Sequence, residues 1–192
     1  MSYQQSFSRL ETSLPGVLVL QPKVWEDARG VFLETWHKSN FAELGISDEF
    51  VQDNHSCSRK NVLRGLHYQL HHPQAKLCRV VEGEALDVAV DIRVGSPHFG
   101  KWVSVVLSSH ARNQIYIPRG FAHGFLALSD SVQFLYKCSA YYDAADEHGI
   151  LWSDPRIGID WGVANTLLSK KDAQFLPLHQ VSPELLPVFH AQ

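Results

Sequence analysis

The segment NVLRGLHYQ (61–69) sets two chemically capable residues, Arg64 and His67, into a run that is otherwise largely apolar. Gly65 lies between them and admits a bulge or a close backbone approach. An unperturbed imidazole titrates at about 6.5, so a neutral His67 can accept a proton at neutral pH. The segment is therefore a candidate functional site centred on His67. A core histidine satisfied by one hydrogen bond, or one at a strand end facing water, would leave the same pattern.

A second segment, IPRGFAHGF (117–125), carries Pro118, Gly120 and His123 in the pattern Pro-x-Gly-x-x-His. This resembles the second motif of the cupin superfamily, where that histidine often binds a metal, and the resemblance implies a jelly-roll barrel. The first cupin motif supplies a His-x-His pair with a glutamate soon after. Here the second histidine is replaced by Gln69, and no glutamate follows within the next several residues. His67 and His123 alone fall short of the three protein ligands usual at a catalytic zinc or iron centre. No metal and no cofactor are expected, and a metal-dependent cupin enzyme stands as a competing reading.

The segments DARG (27–30), VQDNHS (51–56), NVLRGLHYQ, QAKL (74–77), GEALDVAVDIR (83–93) and SPHFGKW (96–102) are followed by IPRGFAHGFLAL, FLYKCSAYY (134–142), GILWSDPRIGIDW (149–161) and SKKD (169–172). Their order and spacing resemble those of the dTDP-4-dehydrorhamnose 3,5-epimerase family, and the likeness runs from about Pro15 to Asp172. The resemblance implies inversion at C3 and C5 of dTDP-4-dehydro-6-deoxy-D-glucose. The C4 carbonyl acidifies both neighbouring positions, and the electrons rest on O4 as an enolate, so no redox cofactor is needed. Such a site requires a base on one face, an acid on the other, and a donor at O4.

The resemblance assigns these parts. His67 matches the base and Asp172 the carboxylate that orients it, while Tyr136 matches the proton donor on the far face. Lys76 and Arg64 match positions beside the substrate. Arg29, Glu34, Gln52, Asn54, His123, Glu147 and Lys171 match contacts to nucleotide, diphosphate or sugar, and Tyr142 matches an aromatic that stacks on thymine. Alone, Tyr136 would read as a half-buried strand aromatic and Asp172 as an exposed carboxylate. The family also forms homodimers by exchanging an N-terminal strand, which here would be residues 17–36. A relative inverting only C3, and a non-catalytic module that binds sugar nucleotides, are the other readings kept open.

The elements that must position these groups have a period of two. In LDVAVDI, Leu86, Val88, Val90 and Ile92 alternate with Asp87, Ala89 and Asp91, which predicts a strand with one apolar face. Similar short runs occupy 16–20, 31–36, 61–69, 77–83, 101–107, 113–118, 123–128 and 132–138, with turn residues between them. The pattern predicts a mainly β sandwich or barrel of antiparallel strands. Helix is expected only at 39–45, capped by Ser39 or Asn40 and stopped by Gly45, and again near Ser169. From Leu176 onward, Pro177, Pro183 and Pro187 predict an irregular wrap (176–192) over the barrel or a neighbouring subunit.

A chain of 192 residues suits a single domain spanning 1–192. No apolar stretch approaches the roughly 20 residues of a membrane helix, and the first residues carry no secretion pattern, so a cytoplasmic enzyme without a membrane partner is expected. The formal charge of −3 argues against nucleic acid as a partner. Cys57, Cys78 and Cys138 are odd in number and widely spaced, and read as buried or incidental thiols.

Overall fold

The structure is a computed structural model that describes residues 6–190. The strands are β1 (Phe7–Glu11), β2 (Leu18–Pro22), β3 (Val24–Asp27), β4 (Gly30–Leu33), β5 (Gln52–Arg59), β6 (Leu63–Gln69), β7 (Lys76–Glu82), β8 (Glu84–Asp91), β9 (Trp102–Ser108), β10 (Gln114–Ile117), β11 (Phe121–Ala127), β12 (Ser131–Cys138) and β13 (Glu147–Gly149). One sheet has the order β1-β2-β10-β7-β12-β5 and the other β13-β6-β11-β8-β9, while β3 and β4 pair only with each other. Every pairing between these strands is antiparallel, so the expected β sandwich of jelly-roll type is what forms.

Three apolar layers explain the burial. Between the sheets lie Cys78, Val80, Ala85, Ala89, Ile115, Phe121, Phe125 and Phe134. Outside the five-stranded sheet, Leu66, Val88, Val90 and Ile92 pack with Trp161, Leu178 and Leu186. Outside the six-stranded sheet, Leu18, Leu20 and Leu77 pack with Phe41, Leu44 and Ile46. The one-faced reading of LDVAVDI is thereby corrected. Its regular apolar face is the outer one, covered by the chain's C-terminal part, and Asp87 and Ala89 face the interior, both fully buried.

Other differences follow from local physics. Strands β1, β5 and β13 escaped the sequence reading, β5 because QDNHSCSR has no alternation of apolar and polar residues, while β3 falls within the 17–36 strand segment that the resemblance implied. The expected strand 31–36 ends at Leu33. Helix α1 (Lys38–Glu43) starts from His37 with no side-chain cap, so Ser39 and Asn40 lie inside it rather than before it. Gly45 does follow its end, in the left-handed conformation at φ +86°. Near Ser169 only a 3-10 turn forms, Asp172–Gln174. The C-terminal wrap, whose last two residues lie outside the described range, contains 3-10 turns at Leu178–Gln180 and Pro183–Leu185 and a bridge from Val188 to Val94 of the same chain.

Candidate active site

His67 on β6 pairs in register with His123 on β11, and both lie in the five-stranded sheet. Tyr136 on β12 lies in the six-stranded sheet, flanked by Asn54 on β5 and Cys78 on β7. The base and acid candidates thus come from opposite sheets. A cleft of about 680 Å³ opens between them, bordered by Arg64, His67, Lys76, His123, Tyr136, Lys171 and Asp172. An adjoining cavity of about 270 Å³ shares His67, Lys76, Tyr136, Tyr142 and Glu147 with it and adds Gln52 and Asn54.

Two glycines let β6 and β11 come close enough to present His67. A Cβ on Gly65, at φ +124°, would stand 2.6 Å from Gly124 Cα, and one on Gly124 would stand 2.6 Å from Arg64 O. Any larger residue there would push backbone against backbone.

His67 Nε2 is 2.8 Å from Asp172 Oδ1, and its Nδ1 is 3.8 Å from Glu147 Oε1. Asp172 is 3% exposed, unlike the exposed carboxylate its sequence position alone would suggest. Burial alone would raise its pKa, but His67, the Gly65 N–H and Ser169 together outweigh burial and hold it below the ordinary value. The pair with a carboxylate fixes Nε2 as the protonated nitrogen and leaves Nδ1 receptive. Glu147 also accepts from Tyr142 Oη at 2.9 Å and pairs with Lys171. Burial opposes its charge, yet Lys171, His67 and Tyr142 keep it ionised.

Tyr136 is pushed up to about 12, chiefly by burial, so its phenol stays protonated across the neutral range. His123 is buried and its Nε2 is 2.9 Å from Asp87 Oδ2. Burial lowers the His123 pKa against the opposing pull of Asp87. Burial pushes the Cys78 thiol up, and Asp87 adds to that. Arg64 Nε donates to Ser58 Oγ at 3.1 Å. Gln52 Nε2 donates to Asn54 Oδ1 at 3.0 Å, and Tyr142 stands exposed at the rim.

Arg29 and Glu34 are the exceptions. Arg29 sits at the tip of the β3–β4 hairpin and is bonded to Asp27, with Nη2 to Oδ2 at 2.6 Å and its side chain 89% exposed. Glu34 accepts from Asn40 Nδ2 at 2.7 Å. Neither borders the cleft of its own chain.

Three neighbours were missed by the sequence reading. Phe175 meets the His67 ring edge-on at 5.8 Å between centroids, where Gly149 leaves room for it. Ser169 Oγ accepts from the Asp172 N–H at 3.0 Å. Asp87 was assigned to the face away from the core. Gln69, set against a cupin ligand in the sequence, instead pins the loop after β12, donating to Tyr141 O and accepting from Asp143 N.

A model of the family described as dTDP-4-dehydrorhamnose 3,5-epimerase matches residues 11–180. The dTDP-4-dehydrorhamnose 3,5-epimerase of Shigella flexneri is 55% identical over 165 residues, 85% of this chain and 91% of that protein. That of Methanothermobacter thermautotrophicus is 48% identical over 177 residues, covering 91% and 96%. Among solved structures, a dTDP-6-deoxy-D-glucose-3,5-epimerase from Legionella pneumophila, in complex with dTDP-4-keto-L-rhamnose, superposes with a TM-score of 0.94 at 46% identity. It covers 96% of this chain and 100% of that one.

Proposed function

This chain belongs to the dTDP-4-dehydrorhamnose 3,5-epimerase family, and on that footing we propose how its cleft inverts C3 and C5 of dTDP-4-dehydro-6-deoxy-D-glucose to give dTDP-4-dehydro-L-rhamnose. The observation that carries the mechanism is the placement of the His67–Asp172 pair on one wall of the cleft and the protonated Tyr136 on the other. His67 Nδ1 takes the proton from the carbon beside the carbonyl. Asp172 stabilises the imidazolium that results, as a carboxylate does when bonded to the far ring nitrogen. Tyr136 returns a proton from the opposite face, and the stereocentre inverts.

Lys76 and Arg64 hold the enolate oxygen. Loss of one such donor costs on the order of 3 kcal/mol of transition-state stabilisation. Tyr142 stacks on thymine, Gln52 and Asn54 read its edge, and Lys171, His123 and Glu147 position diphosphate and sugar.

The working unit is a homodimer in which each β3–β4 hairpin reaches its partner's cleft and supplies Arg29. The exposed side chains Trp25, Val31 and Phe32 on that hairpin support this, since an apolar cluster of that kind marks a contact surface. The whole chain acts as one epimerase domain. The three free thiols fit the reducing cytoplasm, and no helix among the described residues is long and apolar enough to cross a membrane.

Proton NMR of the enzyme with this substrate in deuterium oxide tests the reading. Loss of both the C3 and C5 proton signals, with product formed, is expected. Loss at C3 alone would reassign the enzyme as a 3-epimerase, and loss at neither would leave only a binding module.

A further inference from the structure

His123 borders the cleft, and its Nε2 meets two side chains that do not border it and that the proposed proton transfer does not use, Cys78 and Asp87. Cys78 Sγ lies 3.8 Å from His123 Nε2, and Asp87 Oδ2 lies 2.9 Å from the same nitrogen. One donor atom from each of the three falls within 4.8 Å of the others, and all three residues are buried. The second oxygen of Asp87, Oδ1, is buried with no hydrogen-bond partner. A fully buried carboxylate oxygen left unsatisfied costs free energy, and native structures rarely carry one without a ligand or water to meet it.

We propose that Cys78, Asp87 and His123 form a site for a divalent transition-metal ion of the zinc class, which fastens the two sheets together under the cleft. The donor set is the soft and borderline mixture that such ions select: one thiolate, one imidazole and one carboxylate. With Asp87 binding through both oxygens, the site offers four donor atoms and gives the orphaned Oδ1 its partner. Tetrahedral coordination places an imidazole nitrogen and a thiolate sulfur about 3.5 Å apart, close to the separation already present.

The charges also balance. A carboxylate and a thiolate neutralise a dication, so the filled site brings no net charge into the core and is not opposed by the nearby Lys76 ammonium. Binding releases one proton to solvent, from the Cys78 thiol, while the His123 proton moves from Nε2 to Nδ1 and leaves Nε2 free to bind. Cys78 comes from β7 and the other two ligands from β8 and β11, so the ion bridges the six-stranded and five-stranded sheets. Sequence inspection weighed only His67 with His123. It read Cys78 as a buried or incidental thiol and placed Asp87 on the face opposite the apolar one.

Because His123 also borders the substrate cleft, the test reads metal binding and not activity. Full-length protein made without an affinity tag is freed of metal, then titrated with cobalt(II) and, separately, loaded with zinc. The expected results are one ion per chain, a thiolate-to-cobalt charge-transfer band, and a rise in the melting temperature with either ion. The band and the bound ion are lost in Cys78→Ala. X-ray absorption of the zinc-loaded wild type needs no variant and is expected to show one sulfur at about 2.3 Å with nitrogen and oxygen at about 2.0–2.2 Å. Wild-type metal content no higher than that of Cys78→Ala, or a zinc shell without sulfur, overturns the site and leaves a His123–Asp87 hydrogen bond with a packed thiol beside it.

Discussion

His67 Nε2 and Asp172 Oδ1 are 2.8 Å apart although 105 residues separate them in the chain, because the turn at Ser169–Asp172 folds back against β6. The contact fixes which ring nitrogen is free and stabilises the charged imidazole once it has taken a proton. Asp172→Asn keeps the size and loses the charge. A fall in kcat on the order of 10²–10⁴ is expected with little change in KM, measured by steady-state turnover. A variant with wild-type kcat would remove Asp172 from the mechanism.

Replacing Tyr136 separates the two halves of the reaction. In Tyr136→Phe, His67 can still remove the proton and return it to the same face, so solvent deuterium should enter the sugar while inverted product fails to accumulate. Mass spectrometry of recovered substrate reads the first quantity and chromatography the second. Inversion at the wild-type rate would assign the acid elsewhere.

Gly149 bears on catalysis through Phe175. A Cβ at 149 would come within 2.3 Å of the Phe175 ring, which rests against His67. Gly149→Ala is expected to displace that ring, cost about 1–3 kcal/mol in stability through overpacking, and lower kcat more than it raises KM. Chemical denaturation and initial rates measure the two effects separately.

Alkaline stability should report on buried phenols. Burial raises Tyr136 and Tyr68 to about 12 from an ordinary 10.0. With folded values above unfolded ones, the unfolded chain loses protons first as pH rises. Their contribution to stability is therefore fully present below pH 10.0 and is lost as the pH climbs from there through about 12. Denaturation midpoints measured across that window should fall, and less steeply in Tyr68→Phe. By the same displacement, kcat should show no alkaline limb centred on the ordinary phenol value.

The hairpin carries the quaternary expectation. Phe32 is 70% exposed in the isolated chain and lies 6.0 Å from Trp25 between ring centroids. Phe32→Glu places a charge in the proposed contact and should shift sedimentation from dimer to monomer at micromolar concentration, with weaker substrate binding because Arg29 no longer reaches the cleft. Unchanged sedimentation would exclude this hairpin as the contact.

Strand alternation exposed most of the β framework to reading, since β7, β9, β10, β11 and β12 coincide with their predicted runs to within a residue or two. It failed where burial is two-sided. β8 lies between the inter-sheet core and a C-terminal cover 90 residues away in sequence, as with Val88 and Leu178, and no local window contains both. The cleft was legible because its residues sit in short distinctive segments, such as RGLH and YKC. Phe175, Ser169 and Cys78 were not, because their roles arise only from partners brought in by the fold. Arg29 and Glu34 were read as site residues, and one chain alone does not bring them to the cleft.

His67 and Tyr136 stand on different sheets, so the gap between them is set by the thickness of the sandwich, about 10 Å between stacked sheets. Phe125 and Phe134, stacked face to face at 3.9 Å between centroids, act as a spacer between those two walls. The core is in this sense a gauge cut to a pyranose ring. Trimming the spacer would let the walls close or tilt, and stereochemical fidelity would decline while the protein still folds.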